Sequence, residues 1–91
     1  MRLLDAMGKR WSLRIMWELR ESRLTFRELR ARCNDVSPTS LNTRLKELRA
    51  LNLLDLTDEG YGPTQWGAEL GVQLSALNQW AEKWDEETSS P

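Results

Sequence analysis

The chain has 91 residues, 40% hydrophobic and 30% charged, with five Trp and a net charge of −1, which is enough for one small domain and too little for two. It contains no His and a single Cys, Cys33. That excludes the commonest general acid/base, the Ser/His and Cys/His nucleophile pairs, the commonest transition-metal ligand, and any intrachain disulfide or Cys-cluster metal site. No catalytic residue, metal or cofactor is therefore expected.

A small domain without disulfides fits a reducing compartment, so the cytoplasm is the expected location. The longest apolar run, Ile15-Met16-Trp17, is too short for a membrane span or for the core of a signal peptide. A chain this short hides only about 60–65% of its unfolded surface, so dimerisation is expected from length alone. The net charge conceals a split. Residues 1–50 hold 12 Lys/Arg against 6 Asp/Glu, or +6, and residues 51–91 hold one Lys against 8 Asp/Glu, or −7. A fold that gathers the basic half on one side presents a positive surface able to attract phosphates.

In chain order, Leu3–Met7 leads to Gly8, which marks an expected bend. Trp11, Ile15 and Leu19, spaced i, i+4, i+8 and widened by Met16, then predict a helix over Lys9–Glu21. A second helix follows Thr25, whose N-cap spacing to Glu28 is that of a capping box, and Phe26, Leu29 and Cys33 give it a buried face. The next helix starts at Ser37 as N-cap with Pro38 in the first helical position, and Leu41, Leu45 and Leu48 form its core stripe. Leu53, Leu54 and Leu56, alternating with Asp55 and Thr57, read as a strand. Asp58-Glu59-Gly60 read as a turn, and Tyr61 as the start of a return strand that Pro63 cuts short. The last helix begins near Thr64 and carries Leu70, Leu74, Leu77, Trp80, Ala81 and Trp84, more apolar face than a thin core can use. Residues 86–91 form a polar tail expected to fray, leaving residues 1–85 as the domain.

Helix, helix, helix, hairpin, helix is the winged helix-turn-helix layout, mainly α with a small β-hairpin. In that layout the helix after Ser37 is offered to the DNA major groove and the hairpin is the wing. With its leucines toward the core, Thr39, Thr43 and Lys46 face away, Ser40 and Glu47 lie beside them, and Asn42 and Arg49 on one flank oppose Arg44 on the other. Small hydroxyls allow close approach, Asn suits adenine edges, and Arg and Lys suit guanine or phosphate. Ser37 and the open N–H groups behind it suit a phosphate. Arg27, with Lys9, Arg10, Arg14, Arg23, Arg30 and Arg32, adds positive charge, although Glu18, Glu21 and Glu28 are at hand to neutralise it.

An ordinary solvated helix shows the same residue types, and it is the whole layout with the charge split that favours DNA. Trp11 and Trp66 are expected on core stripes, and Trp80 and Trp84 in core or dimer packing. Trp17 lies off its stripe, either on a second face against a partner or as an exposed aromatic. Cys33 is expected to be a small buried hydrophobe. Asp55, Asp58 and Glu59 are better explained as turn and solubility residues than as an acid pair.

Several segments together resemble the HxlR-type winged-helix transcription regulators, relatives of the MarR group. They are Gly8-Lys9-Arg10-Trp11-Ser12-Leu13 through Leu19, Phe26-Arg27-Glu28-Leu29-Arg30, Ser37-Pro38 with Leu41, Arg44-Leu45-Lys46-Glu47-Leu48, Asn52-Leu53-Leu54, and Tyr61-Gly62-Pro63-Thr64-Gln65-Trp66-Gly67. The resemblance spans roughly residues 4–84. It implies a prokaryotic, homodimeric DNA-binding regulator whose first and last helices build the dimer interface, here through Leu4, Met7, Leu74, Leu77, Trp80 and Trp84.

Three features depart from the family pattern. The wing is short and acidic, no Cys precedes the Gly8-Lys9 segment, and Thr39 and Thr43 stand where longer polar side chains are usual. The resulting expectation is a repressor that binds an inverted-repeat operator in double-stranded DNA as a homodimer in the cytoplasm, associated with the nucleoid. A small-molecule effector between subunits would leave no motif. The alternative is a winged-helix protein-interaction module without DNA binding; an enzyme is disfavoured because no nucleophile-base pair can be assembled.

Overall fold

The computed structural model describes residues 1–89. The order is α1 (Arg2–Met7), α2 (Ser12–Glu18), α3 (Phe26–Arg32), α4 (Pro38–Ala50), β1 (Leu54–Thr57), β2 (Gly60–Pro63) and α5 (Gln65–Thr88). The leading segment forms a short helix of its own, α1, and behind it α2 to α5 follow the winged helix-turn-helix layout, with α3 and α4 as the helix-turn-helix pair and the β1–β2 hairpin as the wing.

Ile15, Leu19, Leu29, Cys33, Leu41, Leu45 and Leu48 are all at most 1% exposed and meet in one core. These are the periodic positions of α2, α3 and α4, so the core is built from their apolar stripes.

The helix expected over Lys9–Glu21 is shorter at both ends. Residues 8–11 form a turn in which Ser12 N–H donates to the Lys9 carbonyl at 3.3 Å, and Trp11 takes the left-handed conformation with φ 76°. At the other end the Arg20 guanidinium lies 3.6 Å from the Trp17 ring centroid and donates to the Trp17 carbonyl at 2.9 Å. That contact supplies a partner for a carbonyl at the helix end, and α2 stops there. Ile15 and Leu19 keep their places in the core, whereas Trp11 is half-buried.

Both helices of the helix-turn-helix pair stop by the same device. Asn34 (φ 57°) follows α3, and Asp35 N–H donates back to the Arg30 carbonyl at 2.9 Å; Asn52 (φ 60°) follows α4, and Leu53 N–H donates to the Leu48 carbonyl at 3.0 Å. Asn tolerates the left-handed conformation, and the six-to-one bond satisfies a carbonyl that the helix end would leave open. Arg30 Nε then donates to the Val36 carbonyl at 2.7 Å, tying the α3–α4 turn to α3.

β1 and β2 pair antiparallel with Leu54 opposite Pro63 and Thr57 opposite Gly60. Leu24 adds a rung from a third segment on the other edge of β2, unforeseen from the sequence, exchanging backbone hydrogen bonds with Tyr61 at 2.8 and 3.0 Å. A Cβ on Gly60, which has φ 112°, would run into the Leu24 carbonyl oxygen, so this rung requires glycine there.

α5 starts at Thr64, whose hydroxyl accepts from Gly67 N–H at 3.1 Å and donates to the Asn52 carbonyl at 2.6 Å. The helix touches the body through Gly67 and Gly71, both buried, and a Cβ on Gly67 would meet the Leu53 carbonyl oxygen. Trp66 is displaced by this backbone contact. Expected in the core, it is 63% exposed, because Gly67 is the residue turned toward the body. Leu70 and Leu74 pack against the core, while Leu77, Trp80 and Trp84 do not.

Twenty-four residues make a rod of about 36 Å, and the molecule measures 48 × 27 × 24 Å. The helix continues to Thr88, three residues into the stretch expected to fray, with Thr88 Oγ1 donating to the Trp84 carbonyl at 2.7 Å. The rest of that expectation, at positions 90 and 91, lies outside the described residues.

Candidate nucleic-acid interface

α4 is the element that could enter a groove, and its start is built by local chemistry. Ser37 Oγ accepts from Ser40 N–H at 3.2 Å and donates to Ser40 Oγ at 2.9 Å, while Pro38 occupies the first turn. Leu41, Leu45 and Leu48 are buried, which turns the opposite face outward as the spacing predicts: Ser37, Thr39, Ser40, Asn42, Thr43, Lys46 and Arg49 are all exposed. Thr43 Oγ1 donates to the Thr39 carbonyl at 2.9 Å, one turn back, which directs its methyl group away from the helix backbone.

Electrostatics separates the candidate cations. Glu47 is the only acid in α4, and it is shared: its Oε2 lies 2.8 Å from Arg44 Nη1 and its Oε1 lies 3.3 Å from Lys9 Nζ. Arg44 is therefore half-buried and paired, a less open position than the sequence reading gave it. Arg14 and Arg32 both approach Glu18, at 2.7 and 3.7 Å, and Arg20 approaches Glu21 at 3.8 Å. Arg23 holds Asp55 of β1 at 2.6 Å and also donates to the Gly60 carbonyl at 3.1 Å, so this cation braces the wing. Lys46, Arg49, Arg27 and Arg10 have no carboxylate partner among the described residues. The outward face of α4 thus carries two unneutralised cations, Lys46 and Arg49, among small hydroxyls and one amide.

The wing is the acidic counterpart. Asp58 and Glu59 sit exposed at its tip, with Glu59 N–H donating to Thr57 Oγ1 at 3.2 Å. Cys33 is fully buried, and that burial raises its thiol pKa, so it stays protonated and serves as a packing group. α1 and α5 leave large apolar side chains exposed. Leu4 is 62% exposed, Leu77, Trp80 and Trp84 are each more than half exposed, and Met7 and Leu74 are half-buried. Trp17 is half-buried, covered on one side by Arg20 and otherwise lining a groove of about 350 Å³ with Leu13, Leu74 and Leu77. No helix among the described residues is long and apolar enough to cross a membrane, and no cluster of metal-ligating side chains occurs among them.

Comparison with known proteins gives this geometry a family. The quinone-bound YodB from B. subtilis superposes with a TM-score of 0.80 at 26% identity, covering 89% of this chain and 91% of its own. A possible HxlR family transcriptional factor from Thermoplasma volcanium GSS1 superposes with a TM-score of 0.80 at 25% identity, covering 92% of this chain and 82% of its own. No curated protein matches the chain. The family model described as HxlR-like helix-turn-helix matches residues 6–89. With the fold, the order of elements and nearly the whole length in agreement, the chain belongs to the HxlR-like helix-turn-helix family, a family of transcription regulators and not of enzymes.

Proposed function

We propose that the protein is a sequence-specific transcriptional repressor that binds double-stranded DNA as a homodimer, with α4 in the major groove. The observation that carries this reading is the outward face of α4. Thr39, Ser40, Asn42, Thr43, Lys46 and Arg49 are exposed together, and the only acid of the helix is occupied by two other cations. Asn42 and Lys46 are suited to base edges, while Ser37, Arg27 and Arg49 are suited to phosphates. Arg44 joins them where its contact with Glu47 allows.

The exposed Leu4, Leu77, Trp80 and Trp84 of α1 and α5, with the half-buried Met7 and Leu74 beside them, support a twofold interface. Such a dimer places two α4 helices about 34–36 Å apart and reads an inverted repeat. The compartment that fits this role is the cytoplasm.

One observation favours a second reading, a protein-interaction module. The wing tip is Asp58-Glu59, which phosphate would repel. Anisotropy of a labelled random-sequence duplex, titrated at about 50 and about 200 mM salt, separates the two. DNA binding loses orders of magnitude in affinity over that range, whereas an absence of binding at the lower salt would leave the interaction module as the reading to pursue.

A further inference from the structure

We propose that the cleft between the 8–11 turn and α4 is a second holding point for a DNA backbone phosphate, at the edge of the groove-facing surface with which it shares Ser40 and Arg44, and that Glu47 is its resident competitor. The inference rests on the DNA-binding reading above.

The cleft has a volume of about 320 Å³ and is lined by Lys9, Arg10, Trp11, Ser40 and Arg44. Three of these five residues are cations, drawn from two segments far apart in sequence. Among the described residues Glu47 is the one carboxylate that reaches them, with one oxygen toward Lys9 at 3.3 Å and the other toward Arg44 at 2.8 Å. Three positive charges against one negative leave a local charge of +2, and an oxyanion would balance part of it.

Each remaining part of the cleft suits the same occupant. Arg10 has no carboxylate partner among the described residues, and its guanidinium sits 5.6 Å from the Trp11 ring centroid, which places it at the cleft wall. Ser40 Oγ accepts from Ser37 Oγ, which leaves its own proton free to donate. Ser40 and Arg44 are one turn apart on α4, next to the exposed Thr39 and Thr43, so a strand bordering the groove would pass this opening.

Glu47 has the character of a placeholder. Its carboxylate bridges two cations as two phosphate oxygens would, and both ion pairs are partly exposed: Lys9 keeps 49% of its side-chain surface, Glu47 34% and Arg44 22%. Contacts of this kind are weak enough to exchange. An arriving phosphate takes over Lys9 and Arg44 and finds Arg10 and Ser40 already in place.

The test compares the wild type with Glu47→Gln and Arg10→Ala, each titrated with a labelled random-sequence duplex across a salt series. Arg10→Ala is expected to weaken binding several-fold at low salt and to flatten the slope of log affinity against log salt by about 0.9, the value of one phosphate contact. Glu47→Gln is expected to tighten binding and to steepen the slope. Unchanged affinity and slope in both variants, beside a wild type with a steep slope, would overturn the cleft while leaving the α4 reading intact. A wild type that does not bind at low salt overturns both. Should Glu47→Gln fail to fold, Arg10→Ala decides alone, since its side chain supports no ion pair. Inorganic phosphate binding that is lost in Arg10→Ala while duplex binding stays unchanged would reassign the site to a free anion and so overturn the proposal.

Discussion

Trp80 and Trp84 stack on each other along the outer half of α5, with ring centroids 6.2 Å apart and planes within 12°, and both are more than half exposed. Two adjacent indoles facing water are an unfavourable way to finish a helix and a favourable way to begin an interface. Trp80→Glu combined with Trp84→Glu should leave the fold intact, since neither ring reaches the core. If the proposed homodimer is built on this pair, light scattering should find the wild type at twice the mass of the variant, which should run as the 10.6 kDa monomer. Duplex affinity should fall with it, because the second half-site is no longer linked to the first. An unchanged mass would remove the pair from the interface.

Lys46 is exposed on the face of α4 opposite Leu41, Leu45 and Leu48 and has no carboxylate partner among the described residues. Lys46→Ala should therefore keep the unfolding midpoint of the wild type and lower duplex affinity. If its partner is a phosphate, the salt slope drops by about 0.9; if a base edge, preference at one operator position relaxes by about 1–3 kcal/mol. A variant that unfolds would contradict the observed helical phase.

Gly60 combines φ 112° with a Leu24 carbonyl oxygen where a Cβ would go. Gly60→Ala should destabilise the domain by about 2 kcal/mol or more, since a strained backbone and a steric clash add. The damage should be visible first as faster amide exchange at Leu24 and Tyr61, the rung that anchors the wing. Gly8→Ala serves as the control: the nearest atom to its added Cβ is the Leu4 carbonyl oxygen at 3.3 Å, which calls for a far smaller adjustment.

The capping box of α3 is complete, with Glu28 N–H donating to Thr25 Oγ1 at 3.1 Å and Thr25 N–H donating to Glu28 Oε1 at 2.9 Å. Thr25→Ala should cost about 1 kcal/mol, or about 4–8 °C in unfolding midpoint for a domain of this size. The backbone hydrogen bond from Thr25, helped by its hydroxyl, holds the Glu28 carboxyl below the usual glutamate value. A depressed folded-state pKa contributes stability above the ordinary value, about 4.3, and that contribution disappears as pH falls through the folded value. Glu28→Gln keeps an acceptor for Thr25 N–H but cannot titrate, so its midpoint should fall less steeply with acidification than that of the wild type. Parallel curves would place the acid sensitivity elsewhere.

Local chemistry was legible wherever one residue and its near neighbours suffice. The Thr25–Glu28 box, the Ser37-Pro38 start of α4, the leucine stripe of α4, the Thr64 cap and the two-stranded wing all depend on bonds spanning a few positions, and all occur. The family was legible in the same way, because the order of those signals is itself the layout. The expected core tryptophan failed at Trp66, since periodicity marks an apolar face without saying which of two adjacent residues touches the body. Here the neighbour is Gly67, chosen by a close approach to the Leu53 backbone that no spacing rule contains. Helical phase puts Glu47 beside the exposed face of α4, but its bridge between Lys9 and Arg44 depends on the packing of the 8–11 turn against α4.

The sequence by itself determined the elements, the buried stripe and the residues turned outward on α4, because side-chain phase and end-capping are properties of short segments. The tertiary structure decided which of thirteen cations remain unneutralised, where Leu24 joins the wing, and how Lys9 comes to face α4. Those depend on pairs such as Lys9 and Glu47, 38 positions apart, and only packing around a common core brings such pairs within the few ångströms over which charges pair.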